Sequence, residues 1–339
     1  MNRTGNLFEK ICDIQNLHEA YYKAAKSKHL SSDIIKFNQN YEKNLESLRL
    51  PLVEGSYRHG KYRQFTIINP KVRIISAASF KDRIVHHSII NILEPLFERL
   101  FIFHTYACRK NKGTHAAALY AYRKAKSCRY FLKLDIRKYF DSIDHCILKK
   151  FLCRIIKDSR CISLLFNIID SYEVSAGKSS SSREKGLPIG NLTSQFFANF
   201  YLSFLDYFVL EKLKPCGYVR YMDDIIIFEN SLCRLKQIFY SVNIFCLNQL
   251  LVALKIPVFG RCNNGVPFLG WKLSSYDIKI LDGTKRRMRR VLARILFEQS
   301  MGKISAEKAQ TRIECVYAAR RLRNCKKSKK NRLNLLSQV

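Results

Sequence analysis

The tightest constraint on this chain is an acidic pair set inside apolar, strand-forming sequence. Val219-Arg-Tyr and Ile225-Ile-Ile-Phe are short runs rich in β-branched and aromatic residues, and Asp223 and Asp224 sit at the bend between them. Such runs predict two strands flanking a turn. Adjacent carboxylates amid β-branched residues repel one another and resist burial. A third carboxylate, Asp135, ends the apolar run Tyr130-Phe-Leu-Lys-Leu. A divalent cation resolves the conflict, because carboxylate oxygens are the ligands Mg²⁺ prefers, with water and substrate phosphate completing its octahedron. Two such ions about 3.5–4 Å apart stabilise the attacking and leaving oxygens of phosphoryl transfer. An aromatic-x-Asp-Asp match alone is a weak signal, and a solvated acidic hairpin turn competes with it.

Charge narrows the partner. The 339 residues include 60 Lys and Arg against 27 Asp and Glu, a formal net charge of +33. Self-repulsion of this size calls for an anionic partner, nucleic acid first and an acidic membrane surface second. No uncharged apolar run reaches the roughly 18 residues that span a bilayer. The greasiest stretch, Phe196 to Leu210, is interrupted by Asn199, Ser203 and Asp206. The first residues carry charges and no apolar signal core, so a cytoplasmic location and no membrane partner are expected. The 12 cysteines are scattered singly, without a C-x-x-C pair, and read as reduced thiols, not as a zinc site.

Period and punctuation predict an α+β chain. Residues 1–50 read as helical, with Asp33 as an N-cap and Pro51 as the terminator. Residues 55–76 read as a hairpin turning at Asn69-Pro70. Residues 80–100 and 114–127 return to helical period, and Tyr130–Asp135 is a buried strand. Residues 145–172 are helical, 175–186 a serine-rich loop, and 192–213 one long apolar helix. Residues 231–254 are again helical, and Val266–Leu273 reads as a strand. From about residue 283 the chain is basic and helical. Residues 285–330 hold 16 Lys and Arg against three Glu, with Met288, Val291, Leu292, Ile295 and Leu296 spaced to form a packing face. Trp271 reads as core. His86 and His87 point to different helix faces and do not chelate.

The residues around all three Asp fit one family. Tyr221-Met222-Asp223-Asp224 resembles the Y-x-D-D box of reverse transcriptases. Asp135-Ile-Arg-Lys-Tyr-Phe-Asp-Ser-Ile-Asp144 resembles the family's first catalytic motif in its group II intron and bacterial form. Gly186-Leu-Pro-Ile-Gly190 resembles the next motif, Pro267-Phe-Leu-Gly-Trp271 the strand after the palm, and Lys71-Val-Arg73 with Lys81-Asp-Arg83 the fingers. Ile189-Gly-Asn-Leu-Thr-Ser194-Gln195 resembles the signature of diversity-generating retroelement reverse transcriptases, as do Tyr106-Ala-Cys-Arg and Lys112-Gly-Thr-His115. A retron-like or phage-defence reverse transcriptase is the alternative, and a catalytically silent RNA-binding protein on the polymerase fold a third reading.

The resemblance implies a right-hand polymerase fold with fingers, a palm of antiparallel sheet backed by helices, and a helical thumb. It places an N-terminal helical extension at 1–50, fingers at 51–134 with 145–185 interleaved, palm at 135–144 and 186–275, and a basic helical thumb and tail at 276–339. It implies two Mg²⁺ ions, with Mn²⁺ a substitute, held by Asp135, Asp223, Asp224 and the carbonyl of Ile136. Lys71 and Arg73 would grip the triphosphate, and the backbone at Lys138 and Tyr139 would meet phosphate. Phe140 stands at the steric-gate position that favours dNTPs over rNTPs. Gln195 and Ser194 would lie by the template–nucleotide pair, and Gly190 and Gln195 would count among the nucleotide-binding residues. Ile189 stands where many relatives carry Gln, and cannot hydrogen-bond as Gln does; in this family the change accompanies error-prone copying at template adenines. The implied partners are template RNA, cDNA, dNTPs and a small basic accessory protein, pentameric in the family, in a bacterial, archaeal or phage-encoded system. Asp141 and Asp144 read as capping or solvated residues, and Lys255 as a surface lysine.

Overall fold

A computed structural model describes residues 3–26, 31–68, 72–172, 184–319 and 322. Along the chain run α1 (Phe8–Cys12), α2 (Ile14–Ala25), α3 (Ser32–Asn38), α4 (Tyr41–Glu54), β1 (Arg63–Ile67), β2 (Arg73–Ala77), α5 (Phe80–Leu100), α6 (Thr114–Ser127) and β3 (Tyr130–Asp135). There follow α7 (Tyr139–Ser142), α8 (His145–Ile155), α9 (Ser159–Asp170), α10 (Leu192–Tyr201), α11 (Ser203–Tyr207), a π-helical segment (Phe208–Leu213), β4 (Gly217–Tyr221), β5 (Asp224–Glu229) and α12 (Leu232–Gln249). The last elements are β6 (Val258–Arg261), β7 (Val266–Phe268), β8 (Trp271–Leu273), β9 (Ile278–Ile280), α13 (Asp282–Ser300) and α14 (Ala306–Ala318). Strand pairing within all three sheets is antiparallel, as an α+β chain requires. Among the described residues no helix is long and apolar enough to cross a membrane.

The described residues divide into two compact units, one of those lying within 1–103, 136–213 and 240–255, the other of those within 104–135, 214–239 and 256–339. The second unit is built on a four-stranded sheet in the order β4-β5-β3-β6. Side chains alternate between faces. Phe131, Ile226 and Phe228 share one face, where they form a core with Ala117, Ala118, Ala121 and Ala125 of α6 and with Phe268 and Trp271. The alanine stripe has no bulk beyond Cβ, so the helix can seat close to the sheet. Trp271 is fully buried and meets the His115 ring edge-on at 5.5 Å, the packing role its sequence context predicts. Gly260 lies opposite Phe131 in the β3–β6 register, and a Cβ there would stand 2.5 Å from the Phe131 ring. The absent side chain is therefore what lets β6 pair beside a buried aromatic.

The first unit packs helices around an aromatic centre. Tyr21, Phe37, Tyr41 and Phe80 contact one another with ring centroids 4.7–6.3 Å apart. Phe97 of α5 meets Phe196 and Phe200 of α10 at 6.1 and 5.2 Å. Side-chain caps start α2, α5, α8 and α9 at Asp13, Ser79, Asp144 and Asp158, each satisfying first-turn N–H groups that lack helical partners.

Several boundaries depart from the periodic reading. Ser31, not Asp33, occupies the N-cap position of α3, and Asp33 lies in the first turn. Pro51 does not end α4; its fixed φ suits a helix, Leu52 is buried, and the helix closes at Gly55 in the left-handed region (φ +74°). The expected long helix over 192–213 breaks at Leu202 and ends in π-geometry; Ser203 Oγ donates to the Phe200 carbonyl at 2.6 Å, a local bond that competes with helical pairing. Helix α12 stops at Gln249. Val266–Leu273 is a hairpin, not one strand: Leu269 and Gly270 both take positive φ (+49° and +93°), as a two-residue type I′ turn demands. On α13, Ile295 is buried, but Val291 and Leu296 are exposed, so the apolar stripe is narrower than its spacing suggests. Glu298 joins α13 to α14 by accepting from Arg294 (2.8 Å) and Arg312 (2.6 Å).

Gly260→Ala is expected to lower unfolding stability by about 1–3 kcal/mol through overpacking against Phe131. Gly283→Ala, near the start of α13 with nothing within 4 Å of its Cβ position, is expected to leave stability unchanged or raise it by up to about 1 kcal/mol. Urea denaturation of both variants checks the contrast.

Candidate active site

The acidic residues converge through strand register. Asp135, the last residue of β3, is the Cα partner of Asp224, the first residue of β5. In the β4–β5 hairpin Tyr221 pairs with Asp224, leaving Met222 and Asp223 as a two-residue loop. Period-two alternation puts Lys133 on the same face of β3 as Asp135. Its ammonium lies 3.2 Å from Asp224 Oδ1 and donates to Oδ2 at 3.3 Å and to the Pro267 carbonyl at 3.1 Å. The Oδ1 contact is within ion-pair distance but off the hydrogen-bonding direction, so that buried oxygen has no hydrogen bond among the described residues. Burial pushes the Asp224 carboxyl up to about 6; Asp135 and Asp223 push the same way, and Lys133 opposes them.

This donor set fits a hard divalent cation. It offers carboxylate oxygens from three residues, one of them buried without a hydrogen bond, around a partly desolvated acid that resists ionisation. Asp135, Asp223 and Asp224 are the residues that would hold Mg²⁺. Ile136 follows directly, with its side chain buried and its backbone bridged to Leu254.

The loop is held by a residue the sequence reading passed over. Met222 has φ +54°, a left-handed conformation that disfavours a residue with Cβ. Arg220 is fully buried, and its Nη1 donates to the Met222 carbonyl at 3.2 Å. The Arg220 backbone is itself pinned, donating to the His104 carbonyl and accepting from Tyr106 N–H, both at 3.0 Å. Lys133 and Arg220 share one sequence signal: a lone cation inside an apolar strand, two residues from a carboxylate-bearing end or turn.

The residues expected to bind nucleotide lie in the other unit. Lys71 falls outside the described residues; Arg73 begins β2 and is exposed. Lys138 adopts φ +44° and precedes α7. Tyr139 is buried, its hydroxyl donating to the Ala198 carbonyl. Phe140 is half-buried, and its carbonyl accepts from Leu187 N–H at 2.8 Å. The Ile189 carbonyl accepts from Ser76 N–H at 3.1 Å. Gly190 has φ +111°, and a Cβ there would meet the Ile75 side chain at 2.8 Å. Asn191, a second residue the sequence reading missed, clamps β2 from its side chain, accepting from Ala78 N–H (3.3 Å) and donating to the Ser76 carbonyl (2.9 Å). The structure thus gathers Phe140, Ile189, Gly190 and β2, while Gln195 is half-buried in the first turn of α10. Asp144 caps α8, Lys255 is exposed, and His86 is buried with its Nε2 3.1 Å from His59 Nε2.

A carboxyl held above its ordinary range contributes least to stability when ionised. As pH rises from about 4 through about 6, the folded state holds the Asp224 proton that the unfolded state has released, so stability falls across that window. Asp224→Asn is therefore expected to match the native chain below pH 4 and to exceed it above pH 6 by about 1–3 kcal/mol, less whatever the Lys133 pair contributes. Thermal unfolding in chelator across that pH range measures the difference.

Comparison with known proteins identifies the family. Residues 61–256 match the reverse transcriptase (RNA-dependent DNA polymerase) family. The chain is 28% identical to protein YkfC of Escherichia coli over 175 residues, covering 50% of this chain and 46% of YkfC. It is 27% identical to the group II intron-encoded protein LtrA of Lactococcus lactis over 177 residues, covering 51% of this chain and 29% of LtrA. It therefore spans less than half the length of either relative. A solved structure of Candida tropicalis telomerase with a fragment of telomeric RNA superposes with a TM-score of 0.51 at 13% identity, covering 82% of this chain and 56% of that one. The fold is the right-hand polymerase fold, and the chain belongs to the reverse transcriptase family, related to the proteins of group II introns.

Proposed function

We propose that this chain is an RNA-directed DNA polymerase whose chemistry centres on Asp135, Asp223 and Asp224. The supporting observation is the register that sets Asp135 opposite Asp224 with Asp223 in the adjoining loop. Bound Mg²⁺ would supply Lewis-acid stabilisation of the primer 3′-oxygen and of the leaving pyrophosphate. The three carboxylates hold that charge, and Lys133 holds Asp224 in place at 3.2–3.3 Å. Arg220 fixes the loop that carries Asp223. Arg73 and Lys71 grip the triphosphate, and Phe140 excludes the ribose 2′-hydroxyl. The basic helices α13 and α14 track duplex phosphates. In primer extension on an RNA template, the Asp223→Ala, Asp224→Ala double variant is expected to lose at least a thousandfold in dNTP incorporation. Unchanged incorporation overturns the assignment.

Within this family the reading we favour is copying of a template-repeat RNA into adenine-mutagenised cDNA that diversifies a target gene by mutagenic retrohoming. It works in the cytoplasm with a small basic accessory protein. The support is Ile189 ahead of Gly190-x-x-x-Ser194-Gln195, with its carbonyl tied to β2 and its side chain lacking any hydrogen-bonding atom. Ile189→Gln is expected to lower misincorporation at template adenines severalfold while leaving total synthesis within about twofold. Sequencing of the cDNA measures both, and an unaltered error spectrum removes Ile189 from this role.

A further inference from the structure

A second set of potential metal ligands lies in the unit that carries the Gly186–Gly190 motif, and the reading above does not use it. A short antiparallel ladder pairs residues 143–145 with 184–186: Gly186 N–H donates to the Ile143 carbonyl (2.8 Å), and His145 N–H to the Glu184 carbonyl (3.2 Å). The ladder places Glu184 across from His145, the first residue of α8. Asp170, the last residue of α9, completes the group. One ligand atom from each of the three lies within 4.8 Å of the others.

The His145 ring shows what the cluster is built to receive. Its side chain is fully buried, and Nε2 lies 2.7 Å from the Gly186 carbonyl. A carbonyl only accepts, so Nε2 donates to it, and in the neutral form of the ring the lone pair sits on Nδ1. Among the described residues Nδ1 is buried without a hydrogen bond and looks toward Asp170 Oδ1 at 3.7 Å and Glu184 Oε2 at 4.0 Å. A carboxylate cannot donate to that lone pair, whereas a cation can accept it. A backbone carbonyl on the far nitrogen is also the usual way a ligating imidazole is oriented.

We propose that His145, Asp170 and Glu184 form a binding site for one borderline divalent metal ion, with Zn²⁺ the best match. One imidazole and two carboxylates are a three-ligand zinc set with room for water, and imidazole selects against Mg²⁺. Ligand atoms around tetrahedral Zn²⁺ stand about 3.3 Å apart, so each carboxylate must close on Nδ1 by less than 1 Å. Both are roughly half-exposed and can rotate to do so. Lys149 competes, with its ammonium 2.5 Å from Asp170 Oδ1; metal binding shifts it to the other oxygen or displaces it. The bound ion would tie α8, α9 and the segment leading into Leu187–Gly190 together at one point.

Co²⁺ titration of the metal-stripped full chain in excess Mg²⁺, followed by visible absorption, tests the site. Mg²⁺ occupies oxygen-only sites, and the spectrum separates thiolate ligation by the cysteines from nitrogen and oxygen ligation. The expected result is one saturable Co²⁺ per chain, without a thiolate charge-transfer band, displaced by Zn²⁺. Glu184→Gln, at an exposed position that leaves folding intact, should weaken that ion at least tenfold. His145→Gln should do the same, and Lys149→Met should tighten it. A spectrum with thiolate bands, no saturable ion, or equal affinity in the native chain and Glu184→Gln overturns the proposal. If the cluster is only an ion-pair network, Lys149→Met lowers thermal stability and no variant changes Co²⁺ binding.

Discussion

Like-charge repulsion at the β3–β5 register sets the terms for the sheet around it. Antiparallel pairing forces Asp135 and Asp224 opposite one another, and the hairpin loop adds Asp223 beside them. Neither strand can slip to relieve this, because a one-residue shift would turn Phe131, Ile226 and Phe228 out of the core formed with α6 and Trp271. Hydrophobic burial thus imposes the carboxylate cluster. Lys133, on the same face, offsets part of the repulsion, and burial first, with Asp135 and Asp223 adding to it, raises the proton affinity of Asp224. A chain of +33 has cations to spare, yet among the described residues a single lysine ammonium is in ion-pair contact with Asp224. An oxygen without a hydrogen bond remains, which is where a divalent ion gains most.

Irregular backbone is held by buried polar side chains in both units. Arg220 reaches the Met222 carbonyl in a left-handed turn, and its own backbone pairs with residues 104 and 106. Asn191 closes the Ser76 carbonyl of β2 and the N–H of Ala78 just after it, next to the positive-φ Gly190. In each case a long-range clamp supplies order that local sequence does not, since loops with unusual dihedrals gain nothing from helical or strand propensity. Local strain and distant support are coupled, so the functional segments are fixed by the fold as a whole.

What the sequence made legible follows from this division. Period and punctuation located α6 and β3 to the residue, and the three acidic residues stood out because carboxylates are scarce in a basic chain and costly in apolar strands. The turn at Leu269-Gly270 was hidden because Leu is a poor left-handed residue; only pairing of β7 with β8 reveals it. The break at Leu202 was hidden because apolar period continues through it, while the Ser203–Phe200 bond that competes is a side-chain detail. Lys133 and Arg220 had readable signals in their strand context. The His59–His86 contact and the His145, Asp170 and Glu184 group had none, since each joins residues distant in sequence.

The two-residue loop of the β4–β5 hairpin has a consequence for how such a sequence can drift. Because Tyr221 pairs with Asp224 across only Met222 and Asp223, inserting or deleting one residue changes the parity of the strand that follows. Every side chain of β5 would exchange faces, sending Ile226 and Phe228 outward and Asp224 to the wrong side. Substitution at Met222 leaves that parity intact. Over generations the spacing of this motif is thus locked by arithmetic, while the identity of its second residue is left comparatively free.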